Sequence, residues 1–347
     1  MARTKGSSPA RTGIAAAIVA VTALVSAIPA GAQTYVRTIA GSGGNALSGP
    51  TGVAVDTANG SNVLVADPGN NRIQVFTAAG GFVRSITGSG GNALSTPHGV
   101  AVDTANGANV VVADSGNNRV QVFTAAGGFV RSITGSGLNA LNEPYAVAVD
   151  TANGSNVVVL EPGNNRVQVF DASGNYIRTI TGTGGNALFD PLGVAVDTAN
   201  GSNVLVADYS NQRVQVFAAT GGFVRTIRGS GANALTCPFG VAVDTANGSN
   251  VLVADPCNDR VEIFDVNGNF LRNIVGSGAG ALVSPIGVAL DTANRSVLVA
   301  DGTANSVQVY TNPFTASVPA LGAWCMLALA LLLGSAGYFA MRSEKGV

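Results

Sequence analysis

At 347 residues the chain has the length of two or three ordinary domains. It is 46% apolar and only 11% charged, which excludes a charge-solvated disordered chain, and its 46 glycines follow no collagen period. One histidine, His98, excludes a multi-histidine metal site, and three cysteines without a CxxC pair exclude a zinc module or a disulfide-framework mini-protein.

Residues 1–32 read as a secretory signal peptide. Arg3, Lys5 and Arg11 precede an uncharged run over residues 14–28, and Pro29-Ala30-Gly31-Ala32 supplies an Ala-x-Ala site. Cleavage after Ala32 leaves Gln33 first. The apolar run is short of the roughly 20 residues that a spanning helix needs.

From residue 33 to 314 one unit is written six times. The segment G-V-A-V-D ends at Asp56, and its equivalents fall at Asp103, Asp150, Asp197, Asp244 and Asp291, every interval being 47. The segment opening at Tyr35 returns from Phe82, Phe129, Tyr176, Phe223 and Phe270 with the same period. These intervals predict copies without insertion or deletion. Each copy holds four β-type runs, in the first at 52–56, 62–67, 72–76 and 82–86, separated by Asn-Gly, Pro-Gly and Gly-Gly turns. Six units of four short strands with no helical period predict an all-β, six-bladed β-propeller of four-stranded antiparallel blades. A stacked solenoid would need distinct capping repeats. Here the first copy supplies a lone outer strand and the last ends after three, so the N-terminal strand is expected to complete the sixth blade and close the ring.

The repeat text, P-x-G-V-A-V-D followed by V-A-D-x-x-N-N-R-[IV]-Q-V-F, resembles the NHL repeat family over residues 34–314. The sixth copy departs from it, with Ala304-Asn305-Ser306 in place of N-N-R. Some NHL propellers bind RNA through a basic face. Here thirteen arginines, no lysine and eighteen carboxylates lie between residues 34 and 314, and eleven of the arginines sit at repeat positions. No basic stripe is left for phosphate, so no nucleic-acid partner is expected. The ubiquitin ligation and zinc-dependent lyase activities of other family members lack their cysteines and histidines here.

Recurring charges read as scaffold. Asp67 and Arg72 should face each other across a hairpin, as should Asp114/Arg119, Glu161/Arg166, Asp208/Arg213 and Asp255/Arg260. Asp56 and its equivalents read as turn acceptors. In the fifth copy, Asp244 opposite Asn250 sets a hairpin register whose paired numbers sum to 494, as Cys237 and Cys257 do, so a disulfide is expected between them. Export would let it persist.

The tail, residues 315–347, contains 22 uncharged residues at 320–341 followed by Arg342 and Lys345, enough to cross a bilayer with a cytoplasmic C-terminus. Val318-Pro319-Ala320-Leu321-Gly322-Ala323-Trp324 ahead of that stretch resembles the IPTL-CTERM sorting signals of bacteria, apart from Gly322-Ala323 where Ser-Glu is usual. The resemblance implies an exosortase-type processing enzyme as a partner. A permanent single-span membrane anchor is the alternative. Either places the chain at the bacterial cell envelope, or secreted after processing.

Function should lie where the copies differ. The P-x-G position gives a ring of Thr51, His98, Tyr145, Leu192, Phe239 and Ile286. Polar and aromatic departures gather on neighbouring copies as His98, Glu143, Tyr145, Glu161, Asp190 and Tyr209, a combination suited to a peptide, protein or glycan ligand. No nucleophile–base pair or metal cluster is evident, so a non-catalytic binding scaffold without a cofactor is the leading expectation. A calcium-dependent, lactonase-like propeller hydrolase is the alternative, with carboxylates expected in its channel. A purely structural surface protein is the third reading.

Overall fold

The computed structural model describes residues 34–312. The signal-peptide reading, Gln33, the C-terminal sorting signal or helix and Cys325 all lie outside the described residues. Within them the chain forms six four-stranded antiparallel sheets. Their inner strands contact one another in a closed cycle, which makes a six-bladed propeller. Blade one contains Val53–Asp56, Asn62–Asp67, Arg72–Phe76 and Phe82–Ile86, in that order from the centre outward. Blade six takes three strands from the end of the repeat region, Pro285–Asp291, Ser296–Asp301 and Ser306–Thr311. Its fourth is Tyr35–Ile39, with Ile39 opposite Val307. The ring therefore has no open end.

The two middle strands of each blade read as nearly continuous apolar runs because both of their faces are covered by neighbouring blades. Leu64, Ala66, Ile73 and Val75 of blade one pack with Val100, Val110, Val112 and Phe123 of blade two, and Leu94 of the intervening crossover closes the layer. The same layer recurs at the other interfaces, each with an aromatic ring fully enclosed: Phe76, Phe123, Phe170, Phe217, Phe264 and, in blade six, Tyr310. Burying such a ring stabilises the fold by roughly 1.5–3 kcal/mol.

Glycine is obligatory at two places that shape the ring. Gly182 opens a crossover at φ +66, where an added Cβ would lie 1.9 Å from the Asn186 carbonyl oxygen. At the centre, a Cβ on Gly193 would lie 2.1 Å from the Phe239 carbonyl oxygen, so the inner strands approach as closely as backbone allows.

The recurring Asp–Arg pairs clamp loops as well as strands. Asp67, wholly buried, accepts from Arg72 Nε at 2.7 Å and from the Ser48 backbone N–H at 2.8 Å. Arg72 also donates to the Gly44 and Ala46 carbonyls, so one ion pair bolts the crossover to the hairpin. Blades two, three and four repeat this. In blade five Asp255 and Arg260 face each other across the hairpin as expected, but without an ion pair between them. Arg260 ion-pairs with Glu262 instead, because Glu262 replaces the glutamine found at 74, 121, 168 and 215. The Asp255 carboxylate keeps backbone N–H donors from Thr236 and Cys237 and the Asn258 amide.

Three expectations need correction. The aspartates at the ends of the inner strands are more than turn acceptors, since four accept a serine hydroxyl from the next blade: Ser61 to Asp291, Ser155 to Asp103, Ser202 to Asp150 and Ser249 to Asp197. The sixth copy does contain a deletion. Asp291 pairs with Ser296, whereas Asp244 pairs with Asn250, so its first hairpin is one residue shorter. The missing serine leaves Asp244 Oδ1 without a partner, while the Asn312 amide donates to Oδ2 at 3.1 Å. Finally, the pairing of inner and second strands slips by one residue at the P-x-G step, as between Pro191 and Gly193. The register sum used for the cysteines thus stops short of Cys237, although the structure does join Cys237 to Cys257, with Cα atoms 5.5 Å apart.

Candidate functional site

The crossovers and the turns between second and third strands share one face of the propeller, and the copies differ most there. Around the central channel on this face stand Thr51, His98, Tyr145, Leu192, Phe239 and Ile286, one from each blade. Below them the wall consists of glycine, alanine and valine, and the enclosed space is only about 80 Å³. The lining contains no carboxylate. Among the described residues no three His, Cys, Asp or Glu side chains cluster closely enough to hold a metal ion.

The ring residues form an aromatic chain over the channel mouth. His98 stacks on Tyr145 with ring centres 4.5 Å apart. Tyr145 meets Phe239 edge-on at 5.9 Å, and Phe239 meets Tyr209 edge-on at 6.1 Å. Thr51 anchors the chain's start, its hydroxyl donating to the His98 carbonyl at 2.7 Å. Burial lowers the pKa of His98 and pushes Tyr145 up to about 12, so both rings are uncharged at neutral pH. The Nδ1 of His98 is buried and has no hydrogen-bond partner.

Two residues before each ring position, the backbone is held in the left-handed region at Thr96, Glu143 and Asp190, with φ of 43°, 47° and 50°. Each N–H there donates to an asparagine of the preceding blade, Asn71, Asn118 and Asn165 respectively, at 2.6–2.7 Å. These bonds set where the following side chains emerge. Glu143 is exposed, and Asp190 is half-buried with Ser210 Oγ 3.5 Å from its carboxylate.

Between blades two and three the face opens into a cleft of about 420 Å³. His98, Tyr145, Glu143, Ser115, Asn118 and Leu192 contribute to its wall. The hairpin turns of blades two and three, Ser115-Gly116 and Pro162-Gly163, border it. Ser115 folds inward and donates to the Pro144 carbonyl at 2.5 Å. At two other blades the neighbouring turn is closely packed: Tyr209 stands against Phe239, and a Cβ on Gly302 would lie 2.5 Å from Ile286 Cδ1.

His98, Glu143 and Tyr145 thus share one cleft, and Tyr209 joins them through Phe239. Glu161 does not join them. It is fully buried, with its oxygens taken by the Asn142 N–H, Asn164, Arg166 and Gln168, so it is the blade-three clamp and offers nothing to a ligand. Phe239, Leu192, Ser115 and Asn118 belong to the site beyond the six residues that the sequence points to. Phe239 and Leu192 occupy ring positions, whereas the inward turn of Ser115 has no local sequence signal.

Residues 47–76, 94–123 and 190–217 match the NHL repeat. The chain carries NHL repeats. Solved structures similar to this NHL propeller include a gluconolactonase from Xanthomonas campestris, with TM-score 0.59 and 17% identity over 76% of this chain and 86% of that one. A catalytically inactive virginiamycin B lyase from Staphylococcus aureus, solved with quinupristin, gives 0.56 and 12% over 81% and 98%. A streptogramin B lyase gives 0.54 and 12% over 81% and 96%. At these identities the likeness is one of fold. No curated protein gives a significant match.

Proposed function

We propose that this NHL propeller is a non-catalytic binding module, exported and held at or released from the bacterial envelope, that takes its ligand on the crossover face between blades two and four. The observation that carries this reading is the aromatic chain His98–Tyr145–Phe239–Tyr209 beside an open cleft. Stacked rings already buried against one another lose little freedom when a ligand covers them, and the polar groups at their edge can orient it. The leader-like residues 1–32 and the sorting-signal-like residues 315–347 support the envelope address. A panel of peptides and glycans tests the binding reading. The Tyr145→Ala/Tyr209→Ala double variant should lose whatever the native chain captures, with binding measured below the variant's own melting point because both rings pack on Phe239. Retained affinity in that variant, with loss on altering the opposite-face Thr-Ala-Asn turns, assigns the ligand to the other side.

A catalytic reading draws on one specific observation: the unpartnered Nδ1 of His98 in a cleft shared with Ser115 and Glu143. The similar structures named a gluconolactonase and lyases belong to this reading too. Turnover of a lactone or cyclic ester by the purified chain, lost in His98→Gln, would favour it over the binding module.

A further inference from the structure

We propose that the cleft between blades two and three accepts a cation carried on an apolar arm, the alkylammonium or guanidinium end of a basic ligand. This inference rests on the binding reading above and names the chemistry of its ligand.

Three features converge. The wall offers the stacked pair His98 and Tyr145, both uncharged at neutral pH, so it presents ring surfaces and no positive charge. A cation against the Tyr145 ring gains roughly 0.5–2 kcal/mol, while its methylene arm covers Leu192. At the rim stands Glu143, exposed, with no hydrogen bond or ion pair to its carboxylate among the described residues. Its backbone is fixed by the Asn118 bond at 2.7 Å, so the charge is tethered at the cleft although the side chain is free.

The third feature is the fate of nearby arginines. Arg119 and Arg166 belong to the two flanking hairpins, yet each is spent on a buried carboxylate, Asp114 or Glu161, and on crossover carbonyls. The cleft lining therefore holds one carboxylate and no cationic side chain. An anionic ligand would meet Glu143 without a counter-charge. A neutral sugar could stack on the rings but would leave the carboxylate unused.

His98 is the chain's only histidine, so its ring resonances form a single-site reporter. The titratable groups sharing its cleft are Glu143 and Tyr145. The experiment titrates the full chain with acetyl-Gly-Lys-Gly-amide, the same peptide acetylated on its lysine, and spermidine. The lysine peptide should shift the His98 signals and lower the imidazole pKa further, because a neighbouring cation disfavours imidazolium. Glu143→Gln should weaken its binding by about tenfold, and Tyr145→Ala should abolish it. Spermidine acting where the lysine peptide does not would identify a free polyamine as the source of the cation. Equal binding of the acetylated peptide, or an unchanged affinity in Glu143→Gln, overturns the cationic assignment while leaving a binding site in place. If no probe and no member of the peptide and glycan panel moves the His98 signals, the binding reading itself fails.

Discussion

The hydroxyl of Ser155 in blade three donates to Oδ1 of Asp103 in blade two at 2.7 Å, and both groups are buried. Blades one, four and five carry the same serine, bonded to the blade before, and blade two alone substitutes alanine. Ala108 has φ 56°, like Ser61 at 57° and Ser202 at 56°, so its backbone already adopts the serine conformation. Asp56, the acceptor that lacks its serine, turns instead to the N–H groups of Ala58 and Asn59.

Ala108→Ser should therefore stabilise the propeller by about 1 kcal/mol. Ser155→Ala should cost roughly 1–2 kcal/mol, because it leaves a buried carboxylate oxygen short of a donor. Reversible denaturant unfolding reads both. No change in midpoint for either variant would mean that water replaces the bond without loss.

Glu262 gives a pH prediction. Burial, opposed in part by Arg260, raises its carboxyl to about 7 from the ordinary 4.5. Because the folded value lies above the unfolded one, the fold favours the protonated acid. The associated stability is fully present below pH 4.5 and is lost as pH rises through about 7. Glu262→Gln removes this slope and restores the donor that Gln121 supplies to Asp114 and Gln168 to Glu161. The variant should be more stable than the native chain by roughly 1–3 kcal/mol above pH 7 and differ little at pH 4. Melting curves across that range with a native slope no steeper than the variant's would refute the assignment.

Cys237 and Cys257 make the third test. At Cys237 the bond to an asparagine of the preceding blade, present at Thr96, Glu143 and Asp190, is missing, since residue 212 is glutamine and the Cys237 N–H turns to Asp255. The disulfide stands in its place. Replacing both cysteines with serine should cost on the order of 2–3 kcal/mol. Non-reducing peptide mapping of the unreduced chain should find the two in one linked fragment. Two freely alkylated thiols there would remove the bridge.

Processing is checked by mass. Protein recovered from its native host should begin at Gln33 and end before or within residues 318–324. An intact Val347 on mature surface protein would leave a simple membrane anchor in place of the sorting signal.

The fold was legible because a period of 47 residues leaves little freedom: four short strands per period can bury both faces only against copies of themselves. The ring at the channel mouth was legible for the same reason, since P-x-G fixes where one variable side chain emerges per blade. What the period conceals is contact between copies. Ser155 and Asp103 lie 52 residues apart, one repeat plus a turn, so each looks like local turn chemistry when read within its own copy. Glu161 misled through its substitution for aspartate, which looks like a functional departure on the surface. The longer side chain only spans the same clamp to Arg166 and Gln168. Arg260 faces Asp255 as read, but its ion-pair partner was not legible because it depends on Glu262, two residues along and on the same strand.

The strand Tyr35–Ile39 is made early in synthesis and finds its partner late. Thr38 waits for Gln308, whose side-chain oxygen accepts its hydroxyl hydrogen across 270 positions of chain. Such a seam can form only after every blade has left the ribosome and, for an exported chain, the translocation pore. Its closure entropy is paid in the last step. A leader ending at Ala32 would leave just Gln33 and Thr34 ahead of that strand, so leader removal and ring closure would compete for the same few residues of chain.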